Sequence, residues 1–188
     1  RMGMPVPSTL ESSAPPIFLI SIDTLRYDTE DALDPLLSVL GEDVVLPTEP
    51  RTNGHWTAPS HGSMFTGVHP GEHKYLGDEG EYQHPIHPDL TTIPELLNTE
   101  GYKCSGIASH ARVIPEAGFG RGFSRYRFQH MTSWLDRKND ARTAVDHMLR
   151  WIDLDTKKKE VFYFMHIFDP HQPYIPDHPT STAREFDL

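Results

Sequence analysis

Three short segments place residues with useful chemistry where predicted secondary structure begins or ends. One apolar run, over residues 17–22, stops at Asp23, and another, over residues 161–168, stops at Asp169, two residues before His171. The carboxyl ends of parallel strands meet at one edge of a sheet, where ligands bind. We therefore expect Asp23, Asp169 and His171 to share one edge, where carboxylate and imidazole groups could bind a metal ion or an anion.

The third segment surrounds Thr57, just before a predicted helix over residues 59–66. That helix has Pro59 near its first turn and Gly67 after its end. Unpaired N–H groups and the positive end of the helix dipole favour an anion at such a start, so a phosphate or sulfate group would lie beside the Thr57 hydroxyl. The alternative is that Thr57 only caps the helix, although a cap and a nucleophile are compatible roles.

Asp23 and His171 also have plain structural alternatives. A carboxylate at the end of a buried strand is costly to desolvate unless a cation or several donors satisfy it. Asp23 could instead cap the following turn through Thr24. His171 lies between Pro170 and Pro173, which leave few backbone donors, so its side chain would have to contact a ligand. It could also be a surface histidine in a proline-rich turn.

Strands and helices alternate along the chain. Strands are predicted over residues 17–22, 102–108 and 161–168, and helices over residues 34–40, 59–66, 92–100 and 139–152. The continuous apolar run at 17–22 predicts a central strand buried on both faces. The pattern indicates an α/β domain over residues 16–188 with a largely parallel central sheet flanked by helices, after a flexible leader over residues 1–15.

Composition narrows the class of protein. The 188 residues carry a formal net charge of −10, which excludes a general nucleic-acid or anionic-membrane binder. No apolar run approaches the roughly 20 residues of a membrane-spanning helix. The single cysteine, Cys104, cannot form an internal disulfide, and the first residues lack the apolar core of a signal peptide. We expect a soluble, cytoplasmic protein.

Together, the three segments resemble a known family. They read SIDTLRYD at 21–28, WTAPSHGSMFTG at 56–67 and HIFDPHQPY at 166–174. In this order and spacing they resemble the amino-terminal part of the sulfatase family, within the alkaline phosphatase superfamily, over roughly residues 16–178. The resemblance implies a sulfatase-like fold and a metal-dependent hydrolase or transferase that acts on anionic phosphate or sulfate esters.

The resemblance also implies the main catalytic roles. Asp23 matches a ligand of a divalent metal, and Thr57 matches the Cys or Ser that sulfatases oxidise to formylglycine. A threonine cannot give that aldehyde, so the remaining route is direct attack by the metal-activated Thr57 oxygen. Thr57 is thus both nucleophile and metal ligand in this hypothesis. His171 matches a catalytic histidine that contacts the substrate.

Four further residues are predicted to bind substrate or support the residues that do. His61 stands where the family has an Arg that pins the nucleophile, and Asp169 is expected to hold the tautomer of His171. The other two are His110, near a position where the family places Lys and His on the substrate, and His166, a further pocket residue. Other histidines, among them His69, His73 and His87, are expected to be exposed loop residues.

Parts of the family's site are missing from the sequence. Many sulfatases have a second metal-binding Asp at the position of Thr24, and the family closes its metal site with a later Asp-His or Asp-Asn pair followed by Gly. No such motif occurs before Leu188. We expect a carboxyl-terminal remainder of the domain to complete the site, and expect this chain alone not to retain the divalent ion, whether Ca, Mg, Mn or Zn. The rival hypothesis is a non-catalytic, sulfatase-like binding or structural domain.

Overall fold

One parallel sheet forms the centre of the chain. The computed structural model describes residues 14–76, 85–129, 141–156 and 160–171. Its strands are β1 (Ile17–Ile22), β2 (Lys103–Ala108), β3 (Arg125–Phe128) and β4 (Val161–Ile167). They lie in the order β1-β4-β2-β3, and every neighbouring pair is parallel. The predicted α/β class with a parallel sheet is confirmed.

Helices occupy the connections between these strands. They are α1 (Asp34–Leu40), α2 (Thr57–Thr66), α3 (Pro70–His73), α4 (Ile93–Thr99) and α5 (Ala141–Leu154), with 3-10 turns at Tyr27–Leu33 and Pro115–Ala117. Four of the five helices were predicted, and α2 begins two residues before its predicted start. In the part of the chain with described structure, no helix is both long enough and apolar enough to cross a bilayer.

Apolar side chains cover both faces of the sheet. On one face Phe65 of α2 packs edge-on against Phe164 of β4 and Phe119, with ring centroids 4.8 and 5.0 Å away. On the other face Ala144 and Met148 of α5 join a separate buried cluster with β2 and β4. The helices therefore flank the sheet on both sides, and α2 is fixed against it by aromatic packing.

The prediction that residues 17–22 form a central strand is wrong for the sheet as described. β1 lies at the edge of that sheet, and Phe18 and Ile20 are 51% and 49% exposed. The inner strands are β4 and β2. A continuous apolar run shows that a strand avoids water, but it does not say how many strands lie beside it.

His73 is not an exposed loop residue, as the sequence suggested, but is fully buried. Its Nδ1 accepts the Tyr75 N–H at 3.1 Å, and its Nε2 lies 3.2 Å from the Ser63 hydroxyl of α2. The ring packs so closely on Gly62 that a Cβ there would lie 2.6 Å from it. Glycine at position 62 therefore lets α3 hold α2 in place.

Some predictions fall outside the described residues. These are most of the leader over residues 1–15, residues 139 and 140 of the helix predicted over 139–152, and the part of the third segment that follows His171.

Candidate active site

Asp23 lies just beyond β1, at the carboxyl edge of the sheet. Its backbone N–H donates to the Ile167 carbonyl at 2.8 Å, which extends the β1–β4 pairing by one residue. Its carboxylate accepts hydrogen bonds from Thr24 Oγ1 (2.8 Å), Thr57 Oγ1 (2.9 Å) and His166 Nε2 (3.3 Å). Burial alone would raise the pKa of Asp23, but these donors outweigh it and hold the pKa well below the usual range. Asp23 is therefore an anion at ordinary pH.

Thr57 is the first residue of α2. The N-cap residue is Trp56, and no side chain caps this helix, so the alternative that Thr57 is the cap is wrong. Its hydroxyl instead donates to Asp23. The first N–H groups of any helix have no intrahelical acceptor, and here they lie beside the Thr57 oxygen at the positive end of α2. The hydroxyl, the carboxylate and the helix start thus meet at one point.

His166 is fully buried near the end of β4, opposite Ser21 of β1 and Ala108 of β2. Its Nε2 faces Asp23, and its Nδ1 has no hydrogen-bond partner among the described residues. Its ring centroid lies 4.9 Å from that of His61. Buried polar atoms are usually paired, so a bare ring nitrogen at this depth marks a place where the protein's own contacts are incomplete.

His61 holds the start of α2 against the end of β1. The side chain is nearly buried, with Nδ1 2.8 Å from the Thr57 carbonyl and Nε2 2.9 Å from Ser21 Oγ. A carbonyl can only accept, so Nδ1 carries the proton and Nε2 accepts from the Ser21 hydroxyl. Burial lowers the pKa of His61 to about 4. A substrate-binding role for His61 stays a prediction, and one of these bonds would have to break for it.

His110 and His171 extend the cluster on the side of β2. Both rings stack on that of Phe168, with centroids 4.4 and 4.3 Å from it, and their own centroids lie 6.4 Å apart. Burial and the neighbouring His166 lower the pKa of His110 to about 4, so its ring is neutral at pH 7. The Arg112 N–H donates to His110 Nδ1 at 3.4 Å, which places the ring proton on Nε2, where it can be donated.

Asp169 forms a hydrogen bond outside this cluster. The residue is exposed, and its Oδ1 accepts the Ala141 N–H at the start of α5 at 3.0 Å. Its role as the orienting partner of His171 stays a prediction. The structure brings the other candidates together at the carboxyl edge of the sheet, namely Asp23, Thr57, His61, His110, His166 and His171.

Sequence reasoning missed two contributors to this edge. Ser21 was expected only as part of a strand, although its hydroxyl donates to Nε2 of His61. Arg112 was not among the expected site residues, although its guanidinium lies over the Trp56 ring, 5.7 Å from the centroid. A serine two residues before a strand-end aspartate is a signal for the first contributor; no local pattern points to the second.

Asp23 and Thr57, the two predicted metal ligands, lie together among the described residues. None of them forms a group of three or more His, Cys, Asp or Glu side chains that could hold a metal ion. The Asp23 carboxylate and the Thr57 hydroxyl nevertheless place two oxygens 2.9 Å apart. Hard divalent cations prefer such oxygen ligands but require more of them. The two residues therefore fit such an ion as members of a larger ligand set.

Comparison with known proteins identifies the family. The model of the Sulfatase family matches residues 16–188. The chain belongs to the sulfatase family, as the three segments predicted. None of the curated proteins compared with the chain matches it.

Solved structures show the same fold. A protein in complex with its substrate D-glucosamine-2-N,6-O-disulfate aligns with TM-score 0.67 and 15% identity over 87% of this chain and 36% of its own. Phosphonate monoester hydrolase of Agrobacterium radiobacter aligns with TM-score 0.65 and 17% identity over 88% of this chain and 43% of its own. The carboxyl-terminal periplasmic domain of EcEptC from Escherichia coli was solved as a complex with Zn. It aligns with TM-score 0.61 and 12% identity over 93% of this chain and 52% of its own.

These similarities define the class of protein. The fold is that of the alkaline phosphatase and sulfatase proteins, a hydrolase-type fold consistent with sulfate or phosphate ester hydrolysis. The chain spans between about a third and about half of the length of the three structures above.

Proposed function

We propose that the protein is a metal-dependent hydrolase or transferase of phosphate or sulfate esters in which Thr57 is the nucleophile. The observation that carries the proposal is the hydrogen bond from Thr57 Oγ1 to Asp23 Oδ2 at 2.9 Å, at the start of α2. A hydroxyl held by a carboxylate beside free helix N–H groups is placed to attack an anion bound there.

The reaction would be an in-line displacement. The Thr57 hydroxyl loses its proton as its oxygen forms a bond to phosphorus or sulfur and the bond to the ester oxygen breaks. That proton passes, directly or through water, to the leaving alkoxide, which departs as an alcohol. Water or another acceptor then attacks the Thr57 ester, which frees the hydroxyl and releases the group. The helix N–H groups stabilise the oxygens of the transferred group throughout.

Asp23 is better suited to orient Thr57 than to take its proton. Its lowered pKa makes it a weak base. A divalent metal held by Asp23 and Thr57, together with further ligands, would lower the pKa of the hydroxyl and neutralise negative charge. The structural relative solved with Zn supports a metal in this fold without indicating which metal binds here.

The histidines would contact the substrate from the other side. His110 offers an Nε2–H donor, and His171 is joined to it through the Phe168 ring. Either can donate to an oxygen of the transferred group or of the leaving group. Their neighbour His166 keeps Asp23 in place through Nε2.

We further propose a preference for phosphate over sulfate esters. A formylglycine hydrate can release sulfate by elimination, whereas a sulfated threonine has to be cleared by a second displacement. The start of α2 would stabilise the equatorial oxygens of a phosphoryl group during such a displacement, and a metal ion held by Asp23 and Thr57 would supply further positive charge there.

A non-catalytic domain is the competing proposal, and His61 is the observation that favours it. Its ring stands at the position of the family's Arg and is neutral at pH 7, because burial lowers its pKa to about 4. One positive charge is therefore missing beside the nucleophile. Metal content and turnover of the full-length protein separate the two proposals.

The test compares Thr57→Ala with Thr57→Ser on phosphate and sulfate esters. We expect Thr57→Ala to lower turnover at least about 10³-fold, because the attacking oxygen is lost. Its free energy of unfolding should fall by only about 1 kcal/mol, since one hydrogen bond is removed. Thr57→Ser keeps the oxygen and should retain activity. Undiminished turnover by Thr57→Ala would remove Thr57 from the mechanism, and faster sulfate than phosphate release would overturn the substrate preference.

A further inference from the structure

Arg112 and Trp56 form a cationic surface at the rim of the candidate site. Trp56 directly precedes Thr57 and is 36% exposed. The Arg112 guanidinium lies over this ring, 5.7 Å from the centroid. No salt bridge between Arg112 and a carboxylate occurs within the described parts of the chain. The guanidinium thus keeps N–H donors for a ligand, since an aromatic face uses none of them.

The backbone around Arg112 is anchored on both sides. The buried Tyr75 hydroxyl donates to the Arg112 carbonyl at 2.6 Å, and the Arg112 N–H donates to His110 Nδ1. The Val113 N–H donates to the His110 carbonyl at 2.9 Å, which closes the turn. Arg112 is therefore carried by a turn that begins at His110, a residue of the candidate site.

The positive charge of Arg112 acts on His110, a residue of the candidate site. Burial and His166 contribute most to the lowered pKa of His110, and the positive charge of Arg112 adds to that effect. His61 and His110 are both neutral at pH 7. Among these rim and pocket residues, Arg112 supplies the permanent positive charge, and its planar guanidinium can bind phosphate, sulfate or carboxylate through two parallel hydrogen bonds.

We infer that Arg112, supported by Trp56, binds a second anionic group of the substrate, next to the ester group that reacts at Thr57. The inference rests on the proposed function for the identity of the reacting group. Arg112 would then determine specificity for esters that carry an additional phosphate, sulfate or carboxylate, and would not take part in bond breaking.

Binding measurements test the inference separately from turnover. Calorimetry on the full-length protein would compare methylphosphonate, which has one anionic group, with diphosphonates joined by short alkylene linkers of different lengths. We expect at least one diphosphonate to bind more tightly than methylphosphonate. Arg112→Ala should lower the affinity for that diphosphonate roughly 10- to 100-fold, because one charge-assisted contact is lost. The affinity for methylphosphonate should fall by less than about twofold.

Two further variants define the contact. Arg112→Lys keeps the charge but loses the planar fork, so its affinity should fall between those of wild type and Arg112→Ala. Arg150→Ala removes an exposed arginine on α5 and should change neither affinity. Thermal unfolding of every variant separates a lost contact from a destabilised loop.

The outcomes distinguish the inference from the proposed function. If Arg112→Ala lowers the affinity for both ligands equally, Arg112 contacts the reacting group and the inference is wrong. The inference is also wrong if neither affinity changes. If the diphosphonate preference depends on Arg112 but the protein turns over neither ester class, the second anion site stands and the proposed catalytic function fails. If Thr57→Ala abolishes turnover while Arg112→Ala changes no affinity, the reverse holds.

Discussion

Two aspartates lie at opposite ends of the strands and have different partners. Asp155, which is buried, lies at the amino ends of the strands (the amino edge), and Asp23, which is partly buried, lies at their carboxyl ends (the carboxyl edge). At the amino edge, Asp155 accepts hydrogen bonds from Lys103 Nζ (3.1 Å), the Arg125 guanidinium and the Tyr163 hydroxyl (3.2 Å). Burial would raise the pKa of Asp155, but the hydrogen bonds and charges of Lys103 and Arg125 lower it to about 2. Arg125 also lies over the Trp151 ring. This carboxylate is surrounded by cations.

At the carboxyl edge, Asp23 accepts hydrogen bonds from two hydroxyls and one imidazole. In the described part of the chain, no Lys or Arg forms a salt bridge with it. The nearby His166 also keeps a bare Nδ1.

The difference separates a structural role from a functional one. A buried charge with two cationic partners is neutralised by the fold itself, and removing one member leaves the others uncompensated. A buried carboxylate held mainly by neutral donors keeps negative charge available to an ion from outside. The amino edge therefore serves folding, and the carboxyl edge is arranged for binding.

Breaking the amino edge should have the largest effect on stability. We expect Asp155→Ala to lower the free energy of unfolding by about 3–5 kcal/mol, because Lys103 and Arg125 lose their shared partner. Urea denaturation measures the loss. Asp43→Ala, at an exposed aspartate, is the control and should change stability by less than about 0.5 kcal/mol. A loss below about 1 kcal/mol for Asp155→Ala would show that the network does not hold this edge together.

At the carboxyl edge, Asp23→Asn should reduce turnover far more than stability. The amide is isosteric but accepts fewer hydrogen bonds than the carboxylate, whose lowered pKa means that the charged form stabilises the fold, so the free energy of unfolding should fall by about 1–3 kcal/mol. Turnover of the preferred ester should fall about 10²- to 10³-fold, because the electrostatic partner of Thr57 is lost. Kinetic assays measure the loss of turnover, and urea denaturation of the same preparation measures the change in stability. A large stability loss with normal turnover would assign Asp23 to the fold.

The two edges should also differ in the pH range over which they affect the free energy of unfolding. The lowered pKa of His61, about 4 against 6.5 in the unfolded chain, means that unfolding takes up a proton between these values. Its stabilising contribution is therefore complete above pH 6.5 and is lost as the pH falls towards 4, with a slope of up to about 1.4 kcal/mol per pH unit. The contribution of Asp155 is present above the ordinary aspartate pKa of 3.8 and is lost as the pH falls towards about 2.

The variant His61→Gln tests this assignment. The amide does not titrate, so the slope of stability between pH 6.5 and 4 should decrease, whereas His69→Gln, at an exposed histidine, should leave it unchanged. Urea denaturation as a function of pH measures both slopes. An unchanged slope in His61→Gln would mean that another group dominates this pH range.

Sequence patterns predicted the elements well where apolar residues recur locally. The runs that became β1 and β4 are apolar throughout most of their length, and the helices have recognisable stops such as Gly41 and Gly67. The short strand β3, with the sequence RYRF, was missed because its alternating charges resemble a solvated loop. Its pairing with β2, and the partners of Arg125, stabilise it as a strand.

The sequence by itself determined which chemical groups lie at the carboxyl edge of the sheet. Asp23 directly follows one apolar run, His171 lies three residues after another, and Thr57 lies at a helix start, so local patterns predicted these groups at the ends of their elements. The family followed from the same segments.

Only the tertiary structure decided how these groups are satisfied. The contact between Ser21 and His61 spans 40 residues, and that between Asp23 and His166 spans 143. The first contact belongs to the burial of His61, whose ring is therefore neutral, and the second fixes which nitrogen of His166 faces Asp23 and which stays bare. No local pattern encodes them, because protonation depends on the burial and hydrogen bonds that distant residues supply only after the strands have paired.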